Sequence, residues 1–401
     1  MINIALLGFG TVGGGVAELL TKNEKIITAR LGDSINVKYI LDLREFPDSP
    51  FADRIVHDFN VILNDPEVSV VAEMMGGVHP ASDFSRAALM AGKSVVTSNK
   101  AVVADCGDEL LAIARERGVR YLFEASVGGG IPVIRPLTDD LASNEIDSVC
   151  GILNGTTNFI LNEMTENGTD FDTVLKQAQA LGYAEADPTA DVDGFDAARK
   201  ILILAALAYG KLASLDDVSI RGIRGVDIAD VAVAEQLGCR LKLIADVRLD
   251  SDGKILATVA PRFVRLSCPL SHVDGVFNGV LVRGNMVGEA MFYGPGAGKL
   301  PTASAVAADI IDAAERKFAA PPRLEWKKAD KSDLVPADPS LEGKNFCHIF
   351  DSEEKALAAA GAAGQKVSGV RAGKKKETGV WAVLSDKSEL PGSLRRYAFF
   401  E

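Results

Sequence analysis

Short apolar runs recur through the first third of the chain, at residues 2–7, 37–41, 68–72, 94–97 and 121–123. Between them lie stretches with helical spacing of apolar positions, among them 82–91 and 108–117. Strands that alternate with helices in this way predict an α/β domain built on a doubly wound parallel sheet. Ligands of such sheets sit at the carboxyl ends of the strands. The segments TSNK at 97–100 and EASVGGGIP at 124–132 fall at two of those ends.

Farther along the pattern changes to α+β. Helical periodicity at 171–181, 194–209 and 230–245 is mixed with alternating strands around 254–263 and 276–286. The expected organisation is a first domain over 1–130, completed by a late helix at 303–318, and a second over 131–302 for substrate binding and dimer contacts. A charged, proline-bearing linker covers 319–340. Residues 341–401 read as strand, helix 352–364, strand 366–372, a solvated turn with Lys374, Lys375 and Lys376, strand 378–385, a short helix and a last strand. That order predicts a small βαββαβ module of the ACT kind, regulatory or a remnant that stabilises an oligomer.

The first strand and helix carry the plainest chemistry. Gly8, Gly10 and Gly13 form G-x-G-x-x-G in GFGTVGGGVAELL, between an apolar run and a helix. The first glycine permits the tight turn, the second lets the backbone approach a pyrophosphate, and the third allows close packing. The helix start supplies free N–H groups and partial positive charge. A dinucleotide site is expected there; the plain alternative is a structural glycine turn.

The second concentration of chemistry is GYAEADPTADVDGFDAARK, residues 182–200, which sets five carboxylates and a lysine immediately before the apolar run ILILAALA. Charge at the mouth of a buried helix is costly unless each group has a partner or a ligand. Asp196 and Lys200 stand four apart, on one helical face, and Glu185 lies one loop earlier. A helix cap with a solvated ion pair is the bland alternative. A calcium loop is excluded by spacing, because the closing twelfth position from Asp187 is Ala198.

Composition narrows the partners. A formal net charge of −12 argues against nucleic acid and anionic membranes, and no basic region with a long apolar stretch follows Met1. The expectation is a cytoplasmic protein. Five scattered cysteines without C-x-x-C spacing predict reduced thiols rather than disulfides or zinc, and the four histidines do not cluster.

The ordered set GFGTVGGGV, TSNKA, EASVGGGIP, LNGTTNFIL, GYAEADPTADVDGFDAARK and GPGAGKLPTASAV resembles homoserine dehydrogenases over about residues 1–318. The resemblance implies a Rossmann-type domain, a nicotinamide cofactor, and interconversion of L-aspartate 4-semialdehyde and L-homoserine in threonine, methionine and isoleucine biosynthesis. It implies Lys100 and Lys200 as catalytic lysines. Glu185 and Asp196 would bind substrate, Gly155 and Thr156 would line its pocket, and Asp191 would support it. Gly8, Phe9, Gly10, Thr11, Val12, Gly13, Lys100 and Gly298 would meet the cofactor. The carbonyls of Val127, Gly129 and Ile131, with the Glu124 carboxylate, would hold a monovalent cation such as sodium, and the assembly would be a homodimer or homotetramer.

The residue types suit that chemistry. Oxidising an alcohol moves a hydride to the nicotinamide while a base takes the hydroxyl proton; the reverse reaction needs an acid, and a lysine serves both directions. Which lysine moves the proton stays open. So does NAD against NADP: Asp42 after the second strand favours ribose hydroxyls, while Arg44 accommodates a 2′-phosphate. A related dehydrogenase of another small substrate, without need of Glu185, and a nucleotide-sensing regulatory protein are the alternatives. An aspartate-semialdehyde dehydrogenase would need a nucleophilic cysteine, and none of the five lies in a matching context.

Overall fold

The computed structural model describes residues 1–315, 324–363 and 380–401. Two compact units emerge: Met1–Glu145 with Leu202–Ser214 and Gly294–Ala329, and Ile146–Ile201 with Leu215–Tyr293 and Asp330–Glu401.

The first unit is a six-stranded sheet of β1 (Ile2–Leu7), β2 (Ile35–Leu41), β3 (Ile55–Val56), β4 (Val68–Glu73), β5 (Ser94–Thr97) and β6 (Tyr121–Leu122). All neighbours are parallel and the order is β3-β2-β1-β4-β5-β6. The order reverses between β1 and β4, which is where a doubly wound sheet opens its ligand crevice. Buried Ile4 and Leu6 of β1, Val70 of β4 and Val96 of β5 pack with Val16 and Leu20 of the helix Thr11–Lys22. Val306 and Ile310 of the helix Lys299–Glu315 join the same core, so a late segment completes the early sheet. Gly15 makes that possible, since a Cβ there would lie 2.8 Å from the Lys299 carbonyl.

Residues 324–329, read from composition as linker, pack into this unit. Lys327–Lys328 pairs with Lys211–Leu212, and the buried Trp326 ring lies 5.2 Å from that of Phe123. An apolar indole anchors what charge and proline alone mark as solvated.

Among the described residues, the second unit is built on a nine-stranded sheet. Its main path runs Gly288–Pro295, Phe277–Gly284, Ile146–Ile152, Cys239–Leu249, Ile255–Arg265, Arg395–Phe400, Phe346–Phe350 and Trp381–Ser385. Two expectations are corrected here. The helix expected over 230–245 stops at Gln236; Gly238 turns the chain at φ 67°, and Cys239–Leu249 forms eleven antiparallel pairs with Ile255–Arg265. Cross-strand pairing overrides the helical periodicity of that stretch. The short helix expected before the last strand is absent among the described residues, where a turn stands instead.

The expected ACT-like order of residues 341–401 is described only in part: Phe346–Phe350, the helix Glu353–Ala363, Trp381–Ser385 and Arg395–Phe400 follow one another as expected, without the short helix before the last strand. Phe399 and Phe400 pair in parallel with Phe263 and Val264, so the C-terminal strands extend the second unit's own sheet. The strand expected at 366–372 and the lysine turn at 374–376 lie outside the described residues.

Candidate active site

The glycine turn of the first unit has the geometry the motif demands. Gly8 sits at φ +93°, and a Cβ on it would stand 3.0 Å from the Met74 carbonyl; one on Gly13 would stand 2.1 Å from the Gly8 carbonyl. Gly10 differs, because its nearest neighbour would be the Arg44 guanidinium at 4.0 Å. The turn is thus closed from inside by Gly8 and Gly13 and left open outside at Gly10. Gly10 also precedes the helix Thr11–Lys22 without a side-chain cap, leaving exposed Thr11 and half-buried Val12 in its first turn. Phe9 donates its N–H to Asp42 at 2.8 Å.

Asp42, just past β2, is gripped by Arg44 through Nε and Nη2, both at 3.0 Å. The guanidinium holds the Asp42 carboxyl down at about 2. The acid and the base that point to different dinucleotides are therefore one ion pair at one strand end.

A buried network unread in the sequence fixes the ends of β4 and β5. Glu73, fully buried, accepts from the Thr97 hydroxyl at 2.6 Å and from the Met75 N–H at 2.7 Å. Thr97 Oγ1 accepts from the Asn99 N–H, and Asn99 Oδ1 caps the helix Lys100–Arg117 through the N–H groups of Ala101 and Val102. Lys100 is thereby the first residue of a helix whose start is pinned to two strand ends. Burial pushes the Glu73 carboxyl up. The sequence signal was an acid closing an otherwise apolar strand.

The segment after β6 is buried and tightly turned. Gly128 and Gly129 take φ +74° and +55°, and a Cβ on Gly129 would stand 2.4 Å from the Gly296 carbonyl. That brings GPGAG onto the 128–131 loop, with Gly298 at φ +118° just before the helix Lys299–Glu315. The carbonyls of Val127, Gly129 and Ile131 accept no hydrogen bond from a described residue. Glu124 turns its carboxylate to the N–H groups of Val133, Ile134 and Arg135 at 2.7–2.8 Å, which uses three of its four lone-pair positions.

Asp309 on the returning helix accepts from the Glu124 N–H and from Arg135, each at 2.8 Å. Burial, with the Glu124 charge beside it, pushes Asp309 up to about 8. Its unfolded value is about 4, so the folded chain keeps a proton that the unfolded chain releases. Stability should therefore fall as pH rises from about 4 to about 8. Asp309→Asn should flatten the melting temperature over that window; a slope equal to the parent's would show that Asp309 does not titrate there.

In the second unit the acidic block divides. Asp193 pairs with Arg224 at 2.7 Å and Asp187 caps the Thr189 N–H, whereas Asp191 and Asp196 converge on one amide. Asn154 Nδ2 donates to Asp191 Oδ1 at 2.7 Å and to Asp196 Oδ2 at 2.9 Å. Lys200, 9 % exposed, donates to Asp196 Oδ2 at 2.8 Å and to the Leu153 carbonyl at 2.7 Å. An ammonium has three donors, so one N–H of Lys200 has no acceptor among the described residues. Asn154, absent from the expected set, is the junction: its Oδ1 also caps the helix Gly155–Asn167 through Thr157. As a cap it was readable; as the link between two carboxylates it was not.

Gly155 and Thr156 open that helix, and Thr156 Oγ1 donates to the Tyr183 carbonyl at 2.6 Å. Gln179 donates to the Glu185 carbonyl at 3.1 Å, leaving the Glu185 side chain exposed. The structure thus assembles Asp191, Asp196, Lys200, Gly155 and Thr156 around Asn154, with Glu185 on the adjoining loop. All five cysteines are free thiols, and no helix among the described residues is long and apolar enough to cross a membrane.

A dinucleotide turn at a doubly wound switch point, in a chain that also carries a buried lysine–carboxylate pair with a spare donor, defines an NAD(P)-dependent oxidoreductase. The homoserine dehydrogenase family model matches residues 132–311, and the model of the family's NAD binding domain matches residues 8–124. A Synechocystis homoserine dehydrogenase is 46% identical over 317 residues, 78% of this chain and 73% of that one. The crystal structure of a homoserine dehydrogenase from Thiobacillus denitrificans aligns with TM-score 0.86 at 34% identity, covering 100% of this chain and 98% of that chain. A hyperthermophilic archaeal homoserine dehydrogenase in complex with NADPH aligns with TM-score 0.67 at 31% identity, covering 78% and 97%. The chain belongs to the homoserine dehydrogenase family.

Proposed function

We propose that the enzyme interconverts L-homoserine and L-aspartate 4-semialdehyde, with Lys200 as the residue that moves the hydroxyl proton. The observation that carries this is the spare donor of Lys200, held by Asp196 and the Leu153 carbonyl. When bound, the nicotinamide accepts or returns a hydride at the carbon bearing that hydroxyl. In oxidation the O–H electron pair closes the aldehyde C=O as hydride leaves carbon, and the proton passes to the Lys200 nitrogen. In reduction the ammonium protonates the developing alkoxide. Lys100 is the second lysine of the reaction.

The N–H groups of Gly155 and Thr156 receive the substrate carboxylate at the helix start. Glu185 takes the ammonium, and Asp191 and Asp196 keep the lysine side anionic. Gly8, Phe9, Gly10, Thr11, Val12, Gly13 and Gly298 hold the dinucleotide, with Asp42 and Arg44 beside its adenosine ribose. The three open carbonyls of Val127, Gly129 and Ile131, with the remaining lone pair of Glu124, suit a hard monovalent cation such as sodium. The same reading makes the enzyme a cytoplasmic homodimer or homotetramer.

The test is reduced-nicotinamide absorbance with L-homoserine and either NAD or NADP, with and without sodium. Turnover with one dinucleotide carries the reading; no turnover with either overturns it.

A further inference from the structure

The second unit holds a buried polar group that the catalytic reading leaves unused. Asn278, on the strand Phe277–Gly284, is 1 % exposed, and neither Oδ1 nor Nδ2 has a hydrogen-bond partner among the described residues. Buried carboxamides are ordinarily satisfied, and one left alone is an expensive feature to keep.

Its position is closely determined. Gly279 pairs with Ile152, so Asn278 lies beside Leu153, the residue whose carbonyl receives Lys200. Asn278 Oδ1 is 3.6 Å from where a Cβ on Gly155 would stand, at the first turn of the helix Gly155–Asn167. That helix is strapped to the preceding loop: Asn158 Nδ2 donates to the carbonyls of Val273 and Gly275 at 3.0 Å, and Lys242 Nζ donates to Asn158 Oδ1 at 3.1 Å. A side chain at Gly155 would meet the Val276 carbonyl at 2.6 Å. The fold thus holds an unpartnered amide beside the helix start.

We infer that Asn278 is a specificity residue for the substrate α-carboxylate, its Nδ2 donating to that group alongside the N–H groups of Gly155 and Thr156. The inference rests on the proposed homoserine reading and adds to it the residue that tells an amino acid from an amino alcohol. A carboxylate at 278 would repel the ligand.

The test compares L-homoserine with 3-aminopropan-1-ol, which keeps the hydroxyl and ammonium and lacks the carboxylate, used as substrate or as competitive inhibitor. In Asn278→Leu, kcat/KM for homoserine should fall ~10–100-fold, through KM, with the cofactor KM and the 3-aminopropan-1-ol constant held within about twofold. Asn278→Asp, which keeps the size of the side chain, should fall further. Equal losses for homoserine and the amino alcohol in both variants, or unchanged homoserine kinetics in either, would overturn the assignment. If the parent enzyme itself does not oxidise homoserine, the functional reading fails instead, and the two failures are distinct.

Discussion

Lys200→Ala is expected to reduce homoserine kcat/KM by ~10³-fold or more while the protein remains folded. A positioned acid–base group contributes roughly 10²–10⁴-fold on its own, and the alanine variant also loses the charge that balances Asp196. The structural cost is smaller. Asn154 continues to donate to Asp196 at 2.9 Å and to Asp191 at 2.7 Å, so the carboxylate left behind is not bare. The variant loses two hydrogen bonds, from Nζ to Leu153 and Asp196, and with them about 1–3 kcal/mol of a stability on the order of 5–15 kcal/mol. The measurement pairs steady-state kinetics with a thermal melt and a dinucleotide titration. A folded variant that binds cofactor normally and turns over slowly supports the proton-transfer role; parent-like rates would remove Lys200 from the mechanism.

How much of this was legible beforehand follows from the range of each interaction. The glycine turn depends on residues within a few positions of one another, and Gly8, Gly10 and Gly13 behave as their spacing requires. The Asp196–Lys200 pair is likewise local, four residues apart on one helix. Asn154 is joined to Asp191 and Asp196 across 37 and 42 residues, and nothing local distinguishes it from an ordinary helix cap. Glu73 reaches Thr97 across 24 residues and reads in isolation as the end of a strand. The C-terminal strands at 346–350 and 395–400 carried a local signal, but their attachment to the second unit's sheet left none, because Phe399 meets Phe263 only through tertiary pairing. Cys239–Leu249 failed for a related reason: both faces of the strand are buried, so no period-two alternation marks it, and its periodicity passes for a helix.

The glycine turn supplies a second large effect, and a control within itself. Gly10→Val should raise the dinucleotide KM ~100-fold or more and leave the melting temperature nearly unchanged. Gly10 has φ −77° and ψ −154°, an extended backbone, and, its chain neighbours aside, no described atom but the Arg44 guanidinium comes as near as 4.0 Å to where its Cβ would stand. The added side chain therefore costs the apoprotein little and occupies the ground where backbone N–H groups must meet a pyrophosphate. Gly13→Val should act in the opposite order. Its Cβ would stand 2.1 Å from the Gly8 carbonyl, so the turn itself must open, and Gly8 is held from the other side by the Leu41 carbonyl, which accepts its N–H at 2.8 Å. Stability and cofactor binding should be lost together there. A Gly10 variant that melts like the parent and binds dinucleotide like the parent would mean that the cofactor does not approach this turn, and the oxidoreductase reading would have to find its nucleotide elsewhere on the sheet.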